Sequence, residues 1–156
     1  HYTQSKVLRW GFEATVNWKI LDNLEADLKG EYLYARQLSG EKKGYTLPFS
    51  TPFSIDASLK YTFCQNKPGN EGYVSLSGHI VGAQNDIVPP EKPTPGYFTL
   101  NMTAGKEFMF DKYTLKIGIN AENLLNRKYY DHTSYYRLID VPEPGRNVAV
   151  MVGLDF

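Results

Sequence analysis

Hydrophobic and polar residues alternate along most of this chain, and the phase of the alternation restarts after each turn signal. From Arg9 to Ile20, Trp10, Phe12, Ala14, Val16, Trp18 and Ile20 share one face, against Gly11, Glu13, Thr15, Asn17 and Lys19. A period of two belongs to a β-strand, whose successive side chains point to opposite sides. A second run sets Leu24, Ala26, Leu28, Gly30, Tyr32 and Tyr34 against Glu25, Asp27, Lys29, Glu31 and Leu33, and a third sets Ile55, Ala57, Leu59, Tyr61 and Phe63 against Asp56, Ser58, Lys60 and Thr62. The fourth, with Val74, Leu76 and Ile80 opposite Ser75, Ser77 and His79, is weaker because Gly78 and Gly82 interrupt its apolar face. Phe98 to Gly105, Tyr113 to Glu122 and the terminal stretch after Arg146 complete about seven strands, expected as an antiparallel meander.

These runs are about 10 to 13 residues long, whereas strands of globular proteins centre on about 5 or 6. Ten or eleven residues tilted by about 45° rise about 25 Å, the height of the apolar band on a membrane-spanning barrel. The connections after strands one, three and five are short, about 3, 9 and 7 residues, while those after two, four and six run to about 14, 14 and 23. Short turns at one end and long loops at the other are the habit of outer-membrane barrels. With the short turns placed on the periplasmic side, the outward aromatics fall in two bands. Trp18, Tyr61, Phe63, Tyr113 and Phe156 lie at the inner end, and Trp10, Phe12, Tyr32, Tyr34 and Phe98 at the outer end, with aliphatic residues between. A soluble sandwich has no physical reason for two such girdles, so an all-β, antiparallel transmembrane β-barrel is the expected fold class.

Composition changes little in this picture. The 156 residues have zero formal net charge, which gives no footprint for nucleic acid, and Tyr (12) outnumbers Phe (8) and Trp (2). No apolar run is long enough for a transmembrane helix, and mean hydropathy resembles that of a soluble protein, as it does in barrels whose alternate residues alone meet lipid. Cys64 has no second cysteine to bridge and no zinc-type spacing around it. The opening residues, HYTQSKVLRWGFE, show neither a basic region nor an apolar region of a secretory signal. No catalytic constellation, nucleophile motif or phosphate loop stands out, so no enzymatic activity, cofactor or metal site is expected.

The last third of the chain carries a more specific pattern. The segment GINAENLLNRKYYDHTSYYRLIDVPEPGRNVAVMVGLDF resembles the C-terminus of TonB-dependent outer-membrane receptors. The matching positions are Asn123, Leu124, Leu125 and Tyr129 before the last loop, Pro144, Gly145 and Arg146 at its end, and the terminal Phe156. Upstream, TPGYFTLN at Thr94 to Asn101 and the segment from Gly11 to Arg36 are similar to strands of the same family. The resemblance implies that residues 1–156 are about seven C-terminal strands of a 22-stranded barrel occluded by an N-terminal plug domain absent from this chain. It implies residence in the outer membrane of a Gram-negative bacterium, surrounded by membrane lipid and lipopolysaccharide. It further implies active uptake of a metal-complex ligand, an iron–siderophore or haem foremost, with copper, zinc, a vitamin or a glycan as alternatives. Energy would come from the TonB complex through the missing N-terminal part, Phe156 would be read by the barrel-assembly machinery, and a lipoprotein is a possible partner. Seven strands cannot close around such a lumen, and open edges in lipid leave backbone groups unpaired; the chain is therefore expected to belong to a longer polypeptide. A passive porin or adhesin barrel, and a soluble all-β binding module, are the competing classes.

Within this frame the acidic residues of the polar phase, Glu31, Asp56 and Glu122 among them, and His79 are expected on a solvated lumen wall. The candidate substrate-binding residues are Tyr130, His132, Tyr135, Tyr136 and Arg137 in the last long loop, expected on the extracellular side. Tyr and Arg offer large contact area with a polar tip, and His132 is a candidate contact to a metal or haem. The same residues suit a loop packed on itself and its neighbours, with Tyr at the headgroup boundary. Gly145 and Arg146 are expected to shape the entry to the last strand, glycine by admitting a turn conformation closed to other residues and Arg146 by pairing with lumen acids. The proline-rich stretch Asp86 to Gly96 is expected to form a stiff wall of the outer vestibule.

Overall fold

A computed structural model describes residues 5–64 and 69–156; the first four residues of the opening stretch read for targeting lie outside that range. Seven strands follow in chain order: β1 (Val7–Leu21), β2 (Leu24–Gln37), β3 (Ser54–Phe63), β4 (Gly72–Val81), β5 (Tyr97–Met109), β6 (Thr114–Glu122) and β7 (Asn147–Asp155). They form one antiparallel sheet in the order β1 to β7, each strand touching only its sequence neighbours. β1, β2 and β5 have 15, 14 and 13 residues, longer than their alternation alone required. β6 begins one residue later than the pattern indicated, so Tyr113 sits in the turn, where its ring stacks on Phe110 at 4.6 Å.

The register explains why the alternation is so clean. Phe12 pairs with Tyr32 and Val16 with Leu28, Leu28 with Ala57, Leu59 with Leu76, Ile80 with Phe98, and Ile119 with Val150. Apolar residues thus mostly meet apolar residues or glycine on the next strand, Ile117 opposite Lys106 being an exception, and the seven stripes merge into one face. A slip of one residue at any pairing would turn a whole strand inside out. The opposite face is polar: Asp56 pairs with His79, Ser77 with Asn101 and Glu107 with Lys116.

Among the described residues, no second layer covers the apolar face. Trp10, Phe12, Val16, Trp18, Leu28, Leu59, Leu76, Val150 and Val152 are all exposed, and the few buried apolar residues, Ala35, Val81, Val88, Tyr97 and Ala121, cluster at the end that carries the long connections. A sandwich would bury that face against a partner sheet, and the described residues supply none. Aromatic residues group at the long-connection end, where Trp10 lies 5.4 Å from Tyr34 and Phe12 6.0 Å from Tyr32. Trp18, Tyr61 and Phe63 occupy the other end, as the register places them.

The sheet is open. β1 and β7 each have a single paired neighbour, so neither closure nor a count of 22 strands is a property of this structure. The connections alternate in length as the sequence led us to expect: residues 22–23, 64–71 and 110–113 at one end, and 38–53, 82–96 and 123–146 at the other.

Candidate functional site

The three long connections converge over the polar face and hold one another. Asn123, immediately after β6, is buried and left-handed. Its side chain accepts from Arg127 N at 2.8 Å and donates to Arg127 O at 2.9 Å and Pro144 O at 3.2 Å, while its own backbone N donates to Asn101 Oδ1 at 2.8 Å. Only Asn combines a short amide with tolerance of this backbone region, so one residue closes both ends of the last loop. Leu124 N adds a bond to Leu100 O at 2.8 Å. Asn126 Oδ1 then accepts from Arg146 N at 3.0 Å, tying the start of β7 to the same knot. Gly145 belongs to this knot for a different reason than expected: its backbone is not left-handed. Instead, a Cβ there would lie 2.9 Å from Asn126 Oδ1. Pro144 is exposed beside it.

Beyond this knot, Arg137 cross-links all three connections. Its Nη2 donates to Glu91 Oε1 at 2.7 Å and its Nε to His132 O at 2.6 Å, and its guanidinium lies 5.1 Å from the centre of the Phe49 ring. Glu91 Oε1 also accepts from Phe49 N at 3.0 Å. The Arg137 and Glu91 side chains are 5% and 9% exposed, so this ion pair is effectively buried. His132 is 1% exposed, with Nδ1 2.7 Å from Thr94 Oγ1. Its Nε2, Glu91 Oε2 and Glu143 Oε1 are buried with no hydrogen-bond partner among the described residues. Burial, and then the adjacent Arg137 charge, hold the His132 imidazole below its ordinary pKa, because both penalise the charged form.

A second chain of contacts joins the loop to the polar face. Tyr97 Oη donates to Asp131 Oδ2 at 3.0 Å, and its ring lies 4.2 Å from that of Tyr129 and 6.0 Å from His79. His79 Nδ1 is 2.6 Å from Asp56 Oδ1. Burial pushes the Asp131 carboxyl up, but bonds from Thr133 and Tyr97 and the charge of His79 outweigh it and hold it below the usual value. Burial, with Glu143 and Asp131 nearby, pushes the Tyr129 hydroxyl up.

The residues singled out from sequence are therefore separated by the fold. His132 and Arg137 are interior to the loop packing, Tyr130 is half-buried, and Tyr135 and Tyr136 are exposed, Tyr135 at 74%. Both tyrosines sit on a short 3-10 turn, Tyr135–Ile139, whose Ser134 cap accepts from Tyr136 N at 3.3 Å. Tyr130 and Arg137 line a recess of about 520 Å³ with Pro90, Lys92, Thr94 and Asp140. On the polar face, Glu31 accepts from Ser54 Oγ at 3.0 Å and Glu122 from Asn120 Nδ2 at 3.1 Å. Arg146 pairs with no acid among the described residues. Phe156 is fully exposed just beyond β7. Among the described residues no group of three or more His, Cys, Asp or Glu side chains is placed to hold a metal ion.

Sequence reasoning missed Glu91, Thr94, Phe49 and Asp131. The one usable signal was Glu91 itself, a lone carboxylate between prolines in PPEKPTP, where a stiff loop presents it at a fixed place.

No protein-family model matches the chain. Its fold is nonetheless shared: the solved structure of the copper transporter OprC superposes with a TM-score of 0.76 at 18% identity, over 99% of this chain and 24% of that one. This chain therefore spans about a quarter of that neighbour's length, and its open antiparallel sheet has the architecture of part of that transporter.

Proposed function

We propose that this chain forms the C-terminal section of an outer-membrane transport barrel of the TonB-dependent type. The observation that carries this reading is the uncovered apolar face, banded by aromatics at both ends, backed by a polar face and capped at one end by three interlocked loops. Lipid on one side and a solvated lumen on the other satisfy both faces at once, and further strands pairing with β1 and β7 would complete the backbone bonds that an open edge forfeits. In this reading the loops face outward and hold the cargo, Tyr135, Tyr136 and Tyr130 supply contact area, and the polar wall with Asp56 and His79 lies along the path inward. A plug domain and coupling to TonB belong to the same proposal, as does recognition of Phe156 during insertion.

The cargo is proposed to be a metal species. An iron complex follows from the resemblance of the C-terminal motif, and copper follows from the likeness in fold to a copper transporter. Uptake of radiolabelled copper and of iron–siderophore complexes by cells with and without the gene separates the two. We expect loss of one uptake on deletion and an equal loss when the proton-motive force is collapsed. Uptake that survives uncoupling would replace this reading with a passive pore. Tyr135→Ala with Tyr136→Ala should lower cargo affinity while leaving barrel assembly intact; unchanged affinity would remove the 3-10 turn from the site.

A further inference from the structure

Between the proline-rich stretch and the last connection lies the recess of about 520 Å³, a volume suited to a small organic molecule. Pro90, Pro93 and Pro95 line it from one connection, Tyr130 and Leu138 from the other. Proline rings fix their own backbone. Thr94, between two of them, is 6% exposed, with its hydroxyl 2.7 Å from Nδ1 of the buried His132. The walls are therefore largely apolar and already ordered, so a ligand entering them costs the protein little entropy.

Three charged side chains also line the recess: Lys92, Arg137 and Asp140. Arg137 is held by Glu91 and by the His132 carbonyl, and lies over the Phe49 ring. Glu91 thus compensates its charge, while its Nη1 makes no hydrogen bond among the described residues and is not one of the buried unpartnered atoms. Lys92 and Asp140 are different. Among the described residues neither forms an ion pair, with the other or with any further group. Both nevertheless sit on held backbone. Lys92 lies between Pro93 and Glu91, whose carboxylate is anchored by Phe49 N and Arg137. Asp140 is left-handed, and its N–H donates to Arg137 O at 3.3 Å.

We propose that this recess binds a zwitterion with an apolar or aromatic side chain, an amino acid or a short peptide. Its carboxylate lies on Lys92 and Arg137 Nη1, its ammonium on Asp140, and its side chain between the prolines and Tyr130. Charge decides the class. A simple anion would face Asp140 with Arg137 already compensated, a simple cation would face Lys92, and a neutral molecule would leave both charges unmatched. A ligand carrying one charge of each sign complements both. The faces of the Tyr130 ring and of the prolines suit a flat side chain. The site is built from two connections alone, so it is separate from the exposed Tyr135 and Tyr136 and independent of the cargo proposed above.

The test is a ligand-observed NMR titration of the full-length protein in detergent with L-phenylalanine, N-acetylphenylalanine, phenylalaninamide and glycine. Phenylalanine should bind, and loss of its positive charge, its negative charge or its ring should each weaken binding by about tenfold or more. No binding of phenylalanine, or equal binding of all four, would overturn the assignment. Phenylalanylglycine separates the two sources: tighter binding than phenylalanine makes the ligand a peptide, weaker binding a free amino acid. Lys92→Ala should remove the preference for phenylalanine over phenylalaninamide. Asp140→Asn, which keeps a residue tolerant of left-handed backbone, should remove the preference over N-acetylphenylalanine. Both side chains are exposed, so assembly should be unaffected; preferences that survive both changes sink the site. Heat-modifiable gel mobility of the same samples keeps the two ideas apart. A detergent-dependent barrel that ignores every compound refutes this site alone, whereas a protein monodisperse without detergent that still selects phenylalanine refutes the membrane reading alone.

Discussion

Replacing Arg137 with alanine removes a side chain that links all three long connections. Glu91 would lose its 2.7 Å partner while keeping a buried carboxylate whose Oε2 already lacks a hydrogen bond among the described residues. His132 O would lose its 2.6 Å donor and Phe49 the cation over its ring. Breaking one side of a buried ion pair costs about 3–5 kcal/mol because an uncompensated charge remains. At about 1.4 kcal/mol per decade, the open population of the loop should rise roughly a hundred- to several-thousand-fold. The strands lie outside this network, so the loss should be local. Hydrogen exchange of the full-length protein in detergent, read on peptides spanning residues 129–141 and on β6, separates the two. We expect protection in the loop to collapse and protection in β6 to stay. The double change Glu91→Leu with Arg137→Met removes both charges together and should recover much of the lost protection, since a well-packed apolar pair replaces a buried ion pair at little cost. Loop protection within about threefold of wild type in Arg137→Ala would show that the pair is not what holds the loops.

Three further outcomes follow from the same geometry. His132 is held below its ordinary value of 6.5, so the unfolded loop binds a proton that the packed loop resists; loop stability is therefore full above that value and falls as pH drops below it. Exchange at residues 129–141 should speed up between neutral pH and pH 5 after correction for intrinsic rates, and His132→Gln should flatten that response. Asn123→Ala removes three side-chain bonds and places a Cβ residue without Asn's local bonding in a left-handed conformation, a local cost of about 2–4 kcal/mol; the yield of heat-modifiable barrel should fall, with Asn123→Asp intermediate. Val150→Arg sets a charge in the middle of β7 on the apolar face, at a cost of about 2–4 kcal/mol if that face meets lipid; unaltered stability in bilayers would argue that it does not.

What the chain's own pattern determined is the sheet. Period-two alternation needs no partner to be read, and since a pleated strand puts alternate residues on opposite faces, Val16, Leu28, Ala57 and Leu76 declared their common side before any pairing was known. Alternating connection length likewise separated the two ends. The loops carried no such signal, because irregular backbone has no period and its side chains are placed by whatever packs against them. Only the tertiary structure brought Glu91 to Arg137, 46 residues away, and thereby placed His132 and Arg137, for which the sequence left both ligand contact and loop packing open, in the loop interior. It also decided why Gly145 is glycine, through the close approach of Asn126 rather than through backbone handedness. The physical reason is one of range: strand faces follow from covalent geometry, whereas loop burial depends on which distant segments share the same few ångströms.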